Sequence, residues 1–192
     1  MTLRPVYPLI DGRTSKSRGH FAIFIPNAPD DVRVDQPPSS SSPNNNPCTG
    51  TGTVIHVVGN PLIGLHHELK RNYNTSDASK SLATPILLGH IPQSLHVDPD
   101  PSTHGFFTTD TTPRGSLDAA ALQVPCPGKS DVRAPVDGVV NRRCQEWTME
   151  YVQHLVGLGY LDSSAIQLVQ DQRDPPTHGV MLCRGGSDGN AG

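Results

Sequence analysis

At 192 residues the chain is long enough for one core of ordinary size, but 19 prolines, 18 glycines and a hydrophobic share of 34% leave much of it to loops. A formal net charge of -3 and a pI near 6.3 argue against binding to nucleic acid or to an anionic membrane through bulk charge. No run of about 18 apolar residues suggests a spanning helix. The start, Met1 to Pro8, holds two prolines and no secretory apolar core, so a cytoplasmic protein is expected. In that compartment Cys48, Cys126, Cys144 and Cys183 are expected as free thiols.

Residues 1–17 read as a polar leader. Gly19-His20-Phe21-Ala22-Ile23-Phe24-Ile25-Pro26 then reads as a strand, apolar on both faces and therefore central, with a histidine at its mouth. Between 29 and 50 the composition shifts to Pro, Ser and Asn. Such a segment buries too little apolar area to order itself, and it reads as a disordered loop insertion within a hairpin. The β-branched run Gly52–Gly59 is the next strand and carries His56 in its middle. After an Asn60-Pro61 turn, Leu62–Tyr73 alternates as a further strand.

Thr84–Pro92 is a short apolar strand, and His96–Gly115 is loop with a short strand near Phe106. Ser116 caps a brief helix through Leu122. The chain's best helix runs from about Asn141 to Leu158, with Trp147, Tyr151, Val152, Leu155 and Leu158 at helical spacing. Gly157 or Gly159 ends it. A last helix, capped by Asp162 or Ser163, stops before Pro175-Pro176, and 184–192 reads as a disordered tail. One domain over 18–183 is expected.

Neither a metal nor a cofactor is expected. The nine histidines form no paired Cys/His or HExxH spacing, no glycine-rich loop joins a strand to a helix, and no Gly-x-Ser-x-Gly elbow occurs. What remains is a cysteine in the first turn of the best helix, preceded by Arg142 and Arg143. The helix dipole and the two cations there favour thiolate, the nucleophilic form. A thiol nucleophile needs a base, and the base needs a third group to orient it. Adjacent antiparallel strands can offer His20 and His56 on one face, and the helix can deliver Cys144 to that same face.

These residues carry a resemblance. His20-Phe21-Ala22-Ile23-Phe24, followed by Val54-Ile55-His56, resembles the paired strands of the lecithin retinol acyltransferase-like proteins, in which a catalytic histidine opens one strand and a second lies on the next. Arg143-Cys144-Gln145-Glu146-Trp147 resembles their N-C-E-H-F helix, which bears the nucleophilic cysteine. Arg143 stands where that pattern has Asn, and Glu146-Trp147 where it has His-Phe. The order His, His, Cys is that of circularly permuted papain-like folds.

The fold expected is therefore α+β: a small antiparallel sheet with the Cys144 helix packed on it, permuted papain-like. The resemblance implies a Cys144–His20–His56 site acting on a small-molecule or peptide acyl substrate by hydrolysis or acyl transfer. The first helical amides are expected to stabilise an oxyanion, with Gln145 as a possible helper. Trp147 reads as core. The competing readings are a non-catalytic interaction or accessory module with a structural Cys144, and a redox thiol resolved by Cys126 or Cys183.

Overall fold

The computed structural model describes residues 2–28, 50–75, 86–103 and 106–180. The expected insertion at 29–50 (all but Gly50), the expected tail, Cys48 and Cys183 lie outside the described residues. The fold is α+β, with a six-stranded antiparallel sheet in the order β5-β1-β2-β3-β4-β6 and three helices. The strands are β1 Leu3–Asp11, β2 His20–Pro26, β3 Thr51–Asn60, β4 Gly64–Asn74, β5 Gly89–Pro92 and β6 Thr108–Asp110. The helices are α1 Ser116–Gln123, α2 Cys144–Gly157 and α3 Ser164–Gln170. No helix among the described residues is long and apolar enough to cross a membrane.

The leader expected at 1–17 is corrected. Its first part is β1, an interior strand that divides its pairing: Leu3–Val6 pair with β5, and Tyr7–Asp11 pair with β2. Each half therefore has one edge without a ladder, which is how an interior strand accommodates Pro5 and Pro8. The strand expected over 84–92 is shorter, starting at Gly89. The helix expected from Asn141 begins at Cys144, because Arg143 is extended at φ -140° and ψ -165°.

One face of the sheet meets the helices. Phe21, Ile23, Ile55, Val57 and Leu69 pack there with Trp147, Tyr151, Val152 and Leu155, all essentially inaccessible to solvent. Complete burial of a large apolar side chain is worth roughly 1.5–3 kcal/mol, so this interface fixes how α2 lies on β2 and β3. The two large aromatics keep their polar atoms paired. Trp147 Nε1 donates to Val124 O at 3.2 Å and Tyr151 Oη to Leu117 O at 2.9 Å. The opposite face buries a smaller cluster of Tyr7, Ala22, Phe24 and Val54.

Both ends of α2 are defined chemically. At its start, the Arg143 N–H donates to Glu146 Oε2 at 3.0 Å, the backward arm of a capping box. At its end, Gly159 takes φ +72°. Its N–H reaches Val156 O while that of Tyr160 reaches Leu155 O, a Schellman arrangement that only a residue tolerant of positive φ makes cheaply.

Candidate active site

The site lies where two neighbouring strands part. β2 and β3 pair from Pro26↔Gly52 only as far as Ile23↔Ile55. Beyond that point β2 stays with β1 down to His20↔Asp11, and β3 stays with β4 out to Asn60↔Gly64. A V opens between Gly19–Ala22 and His56–Gly59. The first residue of α2 enters it, with Cys144 Sγ 3.9 Å from Gly19 O and the Phe21 amide directed at the sulfur. Cys144, His20 and His56 line one cavity of about 500 Å³, walled on the β3–β4 side by Val58, Pro61 and Leu65.

His20 and His56 share one face, as expected, but it is not the face that the Cys144 helix covers, and that part of the expectation is corrected. Strand alternation sends His20 to the side of Ala22 and Phe24, and His56 to the side of Val54, away from the helices. The thiol and the imidazoles nevertheless reach the same cavity, because the sheet is open there and its two faces communicate through the V. No hydrogen bond joins Cys144 to His20 among the described residues. Catalytic hydrogen bonds are often long without substrate and tighten when it binds.

The histidines are linked. His20 Nε2 lies 2.8 Å from His56 Nδ1, and His56 Nε2 lies 3.0 Å from Glu68 Oε1. Glu68 faces His56 directly across the β3–β4 ladder. The proton positions follow from donor and acceptor chemistry. An ionised carboxylate only accepts, so His56 carries its proton on Nε2. Neutral His56 then accepts at Nδ1, so His20 donates from Nε2 and keeps a lone pair on Nδ1. That nitrogen has no partner among the described residues and is the one suited to act as base.

Both rings favour the neutral form. Burial, followed by the charges of His20, Lys70 and His66, brings His56 down to about 3. Burial and Lys70 lower His20 as well, against a smaller opposing pull from Asp11. The thiol departs from expectation. Burial pushes Cys144 above its ordinary value and Glu146 adds to the rise, outweighing the Phe21 and Gln145 amides and Arg18. Arg142 is drawn off to Glu150, and the Arg143 guanidinium donates to the Asp131 carbonyl. The resting pair is therefore thiol and imidazole rather than thiolate and imidazolium.

Gln145 does not serve as the oxyanion helper expected of it. Its Nε2 donates to Gly19 O at 2.8 Å and Asp174 Oδ2 at 2.7 Å, while its Oε1 accepts from Arg18 at 2.8 Å and from the Asp174 N–H at 2.9 Å. All its capacity is used. Asp174 Oδ2 also accepts from the Gly19 N–H at 2.8 Å, so the peptides on either side of Gly19 are held, one through that N–H and the other through the Gly19 carbonyl. Beneath them Arg18 and Arg173 both reach Glu146 Oε1 at 2.7 Å. Burial opposes ionisation of Glu146, but hydrogen bonds from Arg18 and Arg173 prevail and hold its carboxyl below the ordinary range. Sequence reasoning missed Glu68, Arg18 and Asp174. Glu68 alone left a readable signal: a turn centred on Leu62 pairs Asn60 with Gly64, and counting back pairs His56 with Glu68.

A family model matches residues 6–162, from β1 through the end of α2. The chain belongs to DUF6540, a family of unknown function. No curated protein and no solved structure matches it. The DUF6540 match takes in Cys144, His20, His56 and Glu68. Arg173 and Asp174, which fasten the Gly19 segment to α2, lie beyond the DUF6540 match.

Proposed function

We propose that this DUF6540 protein is a cysteine-dependent hydrolase or acyltransferase of circularly permuted papain-like architecture, acting on an amide, ester or thioester. The observation that carries the reading is the relay Glu68–His56–His20, whose hydrogen bonds leave the Nδ1 lone pair of His20 unused, on a residue that lines the same cavity as Cys144. As Cys144 Sγ attacks the acyl carbon, His20 Nδ1 takes the thiol proton. The first-turn amides of α2 stabilise the developing oxyanion. Protonated His20 returns the proton to the leaving group as the carbonyl re-forms, giving a thioester on Cys144. Water or an acceptor nucleophile, deprotonated in turn by His20, releases the acyl group. His56 and Glu68 hold the His20 tautomer throughout and touch no reacting atom.

The raised thiol and the missing Cys144–His20 hydrogen bond favour a second reading, a non-catalytic module in which Cys144 is structural. The deciding experiment exposes the native protein to activated acyl esters and peptide electrophiles and maps adducts by peptide mass. Acylation confined to Cys144, with turnover abolished in Cys144→Ser, is expected. A Cys144 that is modified only after denaturation establishes the non-catalytic reading.

A further inference from the structure

Among the described residues, three cationic side chains and no carboxylate line the cavity around Cys144: Arg18, Lys70 and Arg143. Two of the three charges are already answered. Arg18 is paired with Glu146 at 2.7 Å, and Lys70 Nζ stands 3.7 Å from Glu68. Arg143 differs. Among the described residues no carboxylate lies within ion-pair distance of it, one Nη donates to the Asp131 carbonyl at 3.3 Å, and its Nε is buried without a partner. A guanidinium offers five donors in a planar fork, and this one has most of them uncommitted beside the nucleophile. The first-turn amides of α2, a helix of 14 residues, point positive potential at the same space. The facing wall, Val58, Pro61 and Leu65, is apolar.

Resting on the reading of Cys144 as a nucleophile, we infer that the site selects acyl compounds carrying an anionic group, with Arg143 as the residue that binds it. A carboxylate near the acyl carbon fills the fork of Arg143, and a short apolar chain lies along the β3–β4 wall. Arg143 occupies the position where the resembling pattern has Asn, so the inference concerns this chain's own residue.

The test compares two alkylating agents that differ in charge, iodoacetate and iodoacetamide. In both, Cys144 Sγ displaces iodide from the methylene carbon and the thiol proton goes to solvent. Rates at Cys144 are read by peptide mass in the wild type and in Arg143→Gln, and the iodoacetate-to-iodoacetamide ratio is formed for each protein, so any general change in thiol reactivity cancels. A lone, partly screened cation near the sulfur predicts a ratio about 3- to 10-fold lower in Arg143→Gln. Equal ratios, with iodoacetamide reacting readily in both proteins, overturn the anion inference and leave the nucleophile standing. Failure of both reagents on native wild-type protein even at pH 10, where a raised thiol begins to ionise, overturns the nucleophile reading and this inference together. If Arg143→Gln does not fold, protection of wild-type Cys144 from iodoacetamide takes its place: protection by butyrate but not by butyramide supports the inference, and equal protection or none overturns it.

Discussion

Glu68 is the part of the relay that can be altered without touching either histidine or the thiol. Glu68→Ala removes the acceptor that keeps the His56 proton on Nε2. The bond is 3.0 Å long and the Glu68 side chain is 25% exposed. A hydrogen bond to a charged group contributes about 1.5–3 kcal/mol, and partial exposure places this one towards the lower end. With about 1.4 kcal/mol per factor of ten, acylation of Cys144 should slow about 10- to 30-fold. Glu68→Gln is expected to behave differently. Oε1 is the atom that faces both His56 Nε2 and Lys70 Nζ. Both neighbours are donors, so the glutamine amide turns its oxygen to that position and keeps the proton direction. A loss of less than about fivefold is predicted for this variant, since a neutral acceptor is weaker by roughly half. The assay is the second-order rate of 4-nitrophenol release from 4-nitrophenyl acetate, with thermal melts to confirm that both variants fold. Wild-type rates in Glu68→Ala, or equal damage in the two variants, would refute the relay.

Other consequences are accessible to simple measurements. Above pH 6.5 His56 is neutral whether the chain is folded or not. As the pH falls from 6.5 towards 3, the unfolded chain takes up a proton that the native site refuses. Stability should therefore fall through that window by up to about 1.4 kcal/mol per pH unit, and His56→Gln should flatten the slope in urea titrations at pH 7, 6 and 5; an unchanged slope contradicts a neutral buried His56. The pH limb for alkylation of Cys144 should lie above the ordinary thiol value of 9.0, and a limb below pH 8 would show that burial does not dominate. Gln145→Ala takes the amide donor from the Gly19 carbonyl and one partner each from Arg18 and the Asp174 carboxylate and N–H at a fully buried position, and should cost about 2–4 kcal/mol by denaturant midpoint. A loss under about 0.5 kcal/mol would show that water replaces the amide.

The sequence displayed elements whose local chemistry is self-sufficient. β2 and β3 are dense in β-branched and aromatic residues, and α2 repeats its apolar stripe through Trp147, Tyr151, Val152 and Leu155. Those elements carry His20, His56 and Cys144, so the candidate residues were legible as well. β1 was not, because Pro5 and Pro8 argue against a strand unless its pairing is known to pass from β5 to β2 halfway along. The face of the thiol was not legible, because β2 is apolar on both sides and nothing local says that α2 covers the side of Phe21 and Ile23 rather than that of His20. The thiol's electrostatics were reversed for a similar reason. Neighbouring arginines are visible in the sequence, but burial is not, nor is the diversion of Arg142 to Glu150. Arg18 and Asp174 reach Gln145 only through tertiary contact, and no local pattern announces that.

The central claim is that His20 serves Cys144 as a base, and the most direct test is the rate at which Cys144 is acylated by 4-nitrophenyl acetate at pH 7.5 in wild type and in His20→Gln. Glutamine offers no basic lone pair. Loss of general-base assistance predicts a fall of about 10²- to 10⁴-fold, with the thioester still mapping to Cys144 when it forms at all. An acylation rate that His20→Gln leaves unchanged, or an adduct at Cys126 instead, would contradict the assignment.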